Sequence, residues 1–178
     1  MDYRSALAQG PALSQVNADA LVLVLAPEHS AVANPELDRL VKEALDSGDF
    51  ALKAGRTLYL HRPAGLKAPR LVLVAAANAQ TKSLKAAVAK GVAALKDSAA
   101  AHVAVALADG LLPDADAAQT LAQSVVAAVA DTVYVFRDTK PSAPKPGALK
   151  KVTLLHAADV AAAAKTGLAQ GEAVAEGV

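Results

Sequence analysis

Leu71, Val72, Leu73, Val74, Ala75, Ala76 and Ala77 form an unbroken apolar run between Arg70 and Asn78. Seven residues are too few for a helix that is apolar all round, but they suit a strand buried on both faces. Such a strand needs a layer above it and a layer below it. Residues 20–26, Ala-Leu-Val-Leu-Val-Leu-Ala, make a second run of the same kind. Two doubly covered strands in one chain predict an α/β domain in three layers, α/β/α, around a mixed, mostly parallel central sheet.

The remaining elements fit that plan. Tyr3 to Leu7 reads as a short edge strand, after which Gly10-Pro11 turns the chain. Asn34 is placed to cap a helix. Pro35 suits its first position, and Glu36 and Asp38 sit at the positive end of its dipole. Leu37, Leu40, Val41 and Leu45 then recur at helical spacing, and Ser47-Gly48 closes the helix. Thr57, Tyr59 and His61 alternate with Leu58 and Leu60, which predicts a half-exposed strand paired as a hairpin with the run at 71–77. Residues 81–97 predict a helix with Leu84, Val88, Gly91, Val92 and Leu95 inward and Lys82, Lys85 and Lys96 outward. Strands at 102–107 and 151–155 follow, with a helix from Pro113-Asp114 between them. That helix carries Leu121, Val125, Ala128 and Val129 inward. The alternation and β-branched residues from Thr132 to Phe136 also suit a strand, but no turn residue precedes them, so the helix is expected to run on to about Tyr134. Residues 139–147 hold three prolines and predict an extended loop. From residue 157 onward the chain is an alanine-rich helix whose Gly167, Gly171 and Gly177 make a thin, close-packing stripe. No internal repeat is present.

A length of 178 residues gives one domain with a sizeable core. Aromatic residues are only 3%, so Leu and Val must fill that core while Ala lets helices approach the sheet. Eighteen basic against seventeen acidic residues give a net charge of +1, which provides no strong field for nucleic acid or an acidic membrane. The absence of cysteine excludes a disulfide scaffold and Cys-ligated zinc, and fits a reducing, cytoplasmic setting. The opening residues carry no signal-peptide pattern, and no apolar stretch approaches the roughly 18 residues of a membrane helix.

Nothing in the pattern of residues assembles a catalytic, cofactor-binding or metal site. His29, His61, His102 and His156 lie on separate elements without a second ligand at metal-binding spacing. His102 reads as a satisfied residue at the end of a buried strand, and His61 as an exposed one. Glycine-rich phosphate loops and a GxSxG elbow are both missing. Asp114 and Asp116 are better explained by capping and helix-dipole complementarity than as a catalytic pair. The lysines at 82–96 read as a solvated helix face. Lys140, Lys145, Lys150 and Lys151 flank the proline-rich loop without making a site.

The tail from Gly167 to Val178, Gly-Leu-Ala-Gln-Gly-Glu-Ala-Val-Ala-Glu-Gly-Val, resembles the linker helix of the cytosolic leucyl aminopeptidases. Tyr134-Val135-Phe136-Arg137-Asp138-Thr139-Lys140 is similar to that family's passage from helix end to loop. Asn17-Ala18-Asp19-Ala20-Leu21-Val22 resembles its opening. The resemblance implies a macro-domain-like fold, with residues 1–155 as an N-terminal accessory domain and 156–178 as a linker helix leading to an absent catalytic domain. It implies a parent metalloexopeptidase, hexameric and cytoplasmic, whose two divalent metals (manganese or zinc) sit in that absent domain. The family's metal-binding signature has no counterpart here, so no catalytic residue carries over. The partners implied are the catalytic domain itself, the other subunits of a homo-hexamer, peptide substrate through the parent and, in some bacterial members, DNA. The macro-like fold brings one rival, an ADP-ribose-binding module. Against it, Asp19-Ala20-Leu21-Val22 runs on as Leu-Val-Leu-Ala-Pro rather than into Asn-Ala-Ala-Asn, and the later glycine-rich loop is lacking.

Overall fold

The computed structural model describes residues 1–112, 114–138 and 148–176, with residues 134–138 described in backbone only. The proline-rich stretch at 139–147, with Lys140 and Lys145, lies outside the described residues, as do Pro113 and Gly177. Six strands form one sheet in the order β1-β6-β5-β2-β4-β3. They are β1 (Asp2–Leu7), β2 (Ala20–Leu25), β3 (Thr57–His61), β4 (Arg70–Ala75), β5 (His102–Leu107) and β6 (Lys151–His156). Only β3 runs antiparallel, in a hairpin with β4. The other pairings are parallel. The helices are α1 (Pro35–Ser47), α2 (Thr81–Ala93), α3 (Ala115–Asp138) and α4 (Ala161–Glu176). A 3-10 helix at Gly10–Gln15 bridges β1 to β2, and a shorter one at Ala158–Val160 precedes α4.

Right-handed crossovers decide the layers. The chain passes from β2 to β4 in one direction, and from β4 to β5 and on to β6 in the other. That places α1 on one face and α2 and α3 on the opposite face. The register then sorts the core by residue type. Leu21 and Leu23 pair with Leu71 and Leu73 on one face, and Val22 and Val24 with Val72 and Val74 on the other. All eight are buried. The valine face is where α2 approaches: a Cβ built on Gly91 would stand 2.5 Å from Val22 Cγ1 and 3.4 Å from Val74 Cγ1.

The α1 helix begins and ends as the residues require. Asn34 Oδ1 accepts from the Leu37 amide at 3.1 Å, and Gly48 takes the left-handed conformation (φ 83°) with its N–H bonded to the Leu45 carbonyl. Asp114 acts similarly for α3, its Oδ1 accepting from the Ala117 amide at 2.8 Å. That helix continues to Asp138, four residues past the expected end near Tyr134. No turn residue interrupts it, and Thr132 spends its hydroxyl on the Ala128 carbonyl inside the helix at 2.8 Å. The final helix starts at Ala161 rather than 157 because the 3-10 turn intervenes.

The last helix lies against α3 and β1. Its Ala164, Gly167, Leu168 and Gly171 are buried, and the glycines face Gln119, Ala122, Gln123 and Val126 of α3. Tyr3 of β1 sits under this layer. Burial, with the Glu172 carboxylate adding repulsion, pushes its phenol up to about 12. A pKa above the ordinary value of 10 means that this phenol supports the fold fully below pH 10 and loses that support as pH rises toward 12. Unfolding monitored between pH 9 and 12 should therefore show a steeper alkaline loss for the native chain than for Tyr3→Phe. Identical pH profiles would show that Tyr3 is not the group responsible.

Candidate functional site

In a doubly wound sheet, ligands bind beyond the carboxyl ends of the strands where the winding direction reverses. Here that point lies between β2 and β5. The chain fills it with its own loop. Ala26 and His29 exchange two backbone hydrogen bonds at 2.9 Å, and the Asp109 amide donates to the Ala31 carbonyl at 2.8 Å. His29 Nδ1 lies 3.1 Å from the Asp109 carbonyl, an oxygen that can only accept, so this nitrogen carries the proton. Gly110 (φ +87°) passes so close that a Cβ there would stand 2.8 Å from His29 Nδ1. The Ala26, His29 and Asp109 amides at this point are thus engaged within the protein, and the ADP-ribose reading gains no support from this geometry.

The other histidines are equally accounted for. His61 shares a 3.0 Å hydrogen bond and a stacked contact with Tyr59 on the exposed side of β3. His156 is buried, with Nδ1 2.9 Å from the Ala157 carbonyl. His102 Nε2 meets the Thr153 hydroxyl at 2.7 Å, tying β5 to β6. Among the described residues no group of three or more His, Cys, Asp or Glu side chains is arranged to hold a metal ion. Asp116 lies in the first turn of α3, two residues past Asp114, which caps that helix.

One surface does bring separate parts of the chain together. A groove of about 320 Å³ lies over the start of β1, β5 and β6, on the face away from α2–α4. The register explains its composition, because Arg4 pairs with Thr153, Ala6 with Leu155, Ala104 with Thr153 and His102 with Lys151. These side chains must therefore share one face. Val16 and Asn17, from the segment entering β2, close one side. Asp19 ties the segment ahead of β2 to the start of β5. Its Oδ2 accepts from the Ala101 and His102 amides, both at 2.9 Å, and its own N–H donates to the His102 carbonyl at 2.9 Å. Its carbonyl in turn receives Arg70 Nη1 at 3.1 Å.

The electrostatics of the groove follow from this arrangement. The His102 imidazole is held below its usual pKa, first by burial and then by the Lys151 ammonium, with Asp19 and Asp2 opposing. It is thus neutral at pH 7. Arg4 donates from its Nε to Asp2, at 3.2 Å to each carboxylate oxygen. The ionisable side chains that line the groove are Arg4, His102 and Lys151, none of them acidic. Lys151 stood in the sequence only as one lysine flanking a loop, and Arg4 carried no signal at all. Strand order alone joins them.

Comparison with known proteins gives a consistent result. Residues 18–142 match a family model described as the cytosol aminopeptidase family, N-terminal domain. A probable cytosol aminopeptidase of Methylibium petroleiphilum is 45% identical over 180 residues, covering 100% of this chain and 36% of the relative. A cytosol aminopeptidase of Pseudomonas aeruginosa is 35% identical over 144 residues, covering 78% of this chain and 28% of that protein. Among solved structures, a mutant of tomato leucine aminopeptidase superposes with a TM-score of 0.73 at 22% identity, covering 99% of this chain and 36% of that one. At that identity the likeness concerns the fold. The chain spans about a third of the length of the curated relatives it matches.

Proposed function

Because the chain belongs to the cytosol aminopeptidase family, matching its N-terminal domain over residues 18–142, we propose that it is the non-catalytic domain of a metal-dependent leucyl aminopeptidase. In this reading the intact enzyme removes N-terminal residues such as leucine from peptides, works in the cytoplasm and assembles as a homo-hexamer. The family match carries the proposal. It is supported by relatives about three times as long as this chain, which leave room for a catalytic domain.

The residues described here do not fit the two divalent metals such a peptidase uses, since no acidic or histidine cluster forms among them. Manganese or zinc is assigned to the catalytic domain, and no step of hydrolysis is assigned to this chain. Its own contribution is a rigid α/β body that helps subunits assemble and shapes access to the active sites, joined onward through α4. No helix among the described residues is long and apolar enough to cross a membrane. The net charge of +1 argues against tight DNA binding by this domain alone.

The test has two arms. The 178-residue chain, incubated with leucine p-nitroanilide and manganese, should give no turnover above a blank. A chimera in which it replaces the matching part of the Methylibium relative should hydrolyse that substrate and keep the relative's oligomeric mass by light scattering. Turnover by the chain alone would overturn the non-catalytic assignment. A soluble, folded chimera without activity would overturn the assignment to a peptidase.

A further inference from the structure

We propose that the groove across β1, β5 and β6 is a binding site for a small organic anion, a carboxylate joined to a short aliphatic group. The inference stands on the groove's own chemistry and not on the peptidase reading. Its volume of about 320 Å³ is at the lower end of the range for small-molecule sites. Its floor is apolar, made by Ala6, Val16, Ala104 and Leu155. Ala104 and Leu155 are buried, so the floor belongs to a packed sheet and does not depend on a loose surface chain.

The charged groups that line the groove carry one sign. Arg4 and Lys151 are cationic, and Thr153 and Asn17 add a hydroxyl and an amide. The two nearby carboxylates are turned to other tasks: Asp2 accepts from Arg4 Nε, and Asp19 Oδ2 accepts two backbone amides. Among the described residues Lys151 makes no ion pair. A carboxylate placed beside it would relieve the repulsion between Lys151 and His102 that helps to hold the imidazole neutral. Charge-assisted bonds from Lys151 and Arg4 would hold the anionic end, while the aliphatic end displaces water from the partly exposed Ala6 and Val16. A neutral ligand of the same shape keeps only the second term.

The chemistry fits either a simple carboxylic acid or an α-amino acid, and the experiment separates them. The ¹⁵N-labelled 178-residue chain is titrated with 4-methylpentanoate, with leucine and with neutral 4-methylpentanamide while backbone amide shifts are recorded. The proposal expects saturable shifts at the amides of Ala6, His102, Ala104 and Thr153 with 4-methylpentanoate, leucine or both, and at least about tenfold weaker binding of the amide. Response to 4-methylpentanoate alone identifies a simple acid as the source, and response to leucine identifies an amino acid. Lys151→Gln should weaken binding about tenfold, whereas Lys82→Gln, on the exposed face of α2, should leave it unchanged. Should Lys151→Gln fail to fold, Arg4→Gln serves instead, with the same expected weakening. Equal shifts with acid and amide, an unchanged affinity in the folded groove variant, or no shift at the solubility limit would each overturn the proposal.

Discussion

Gly167→Ala is expected to destabilise the chain by about 2 kcal/mol or more, even though alanine is the better helix former. Propensity favours the substitution by about 1 kcal/mol within a helix. Against this, the new methyl would run into the Gln119 carbonyl oxygen and would stand 2.8 Å from Ala122 Cβ. The carbonyl belongs to the interior of α3 and has no freedom to swing aside, so the two helices must separate. Overpacking costs about 1–3 kcal/mol and occasionally more, and a clash with fixed backbone stands at or above the top of that range, about 3 kcal/mol. Separation would also expose Ala164 and Leu168, which are buried in the same interface. For a chain of this size the net loss corresponds to a melting temperature lower by about 4–8 °C. Thr166→Ala, one residue away on the exposed side, gains propensity without a clash and should raise stability slightly. If thermal denaturation showed both variants to be stabilised, the close approach of α4 to α3 would be refuted.

Asn34→Ala is expected to cost about 2–4 kcal/mol, and Asn34→Asp nearly as much. The side chain is fully buried and uses both ends of its amide. Oδ1 caps α1 through the Leu37 amide, while Nδ2 donates to the Gly10 carbonyl at 3.0 Å and the Pro11 carbonyl at 3.4 Å. Loss of the cap costs about 1 kcal/mol. Leaving the Gly10 carbonyl without its donor costs about 1–3 kcal/mol further, while the Pro11 carbonyl keeps the Ser14 hydroxyl at 3.0 Å. Aspartate separates the two roles, since it caps as well as asparagine but has no N–H to donate. It would also set a carboxylate against two carbonyl oxygens in a site closed to water. Chemical denaturation of the three proteins decides the matter. An Asn34→Asp variant as stable as the native chain would reduce Asn34 to a helix cap and remove its role in binding the 3-10 segment to α1.

Much of this was visible in the residues and some was not, and the division follows the range of the forces. The two doubly buried strands, the Asn34 cap, the Gly48 stop and the inward arc of α2 from Leu84 to Val92 are local patterns, and all appear as expected, although α2 ends at Ala93 rather than 97 and leaves Leu95 in the turn beyond it. The alternation of Leu58 and Leu60 with polar neighbours marks β3 as half-exposed, and it is. At the end of α3 local preference points the wrong way. Thr132, Val133 and Val135 favour a strand, but an uninterrupted helix already under way extends at little cost per residue. The groove was invisible because Arg4, His102 and Lys151 come from the first, fifth and sixth strands.

The sequence by itself settled the α/β class, the buried strands, the presence of each helix and where α1 starts and stops, because periodicity and capping act within a few residues. Its similarity to known proteins also settled the family. Only the tertiary structure decided that β1 would pair with β6, that the crevice between β2 and β5 would be closed by His29, and that three distant basic side chains would share one face. Those outcomes depend on strand order and register. Both are fixed by how whole layers pack against each other, and no short stretch of residues contains that information.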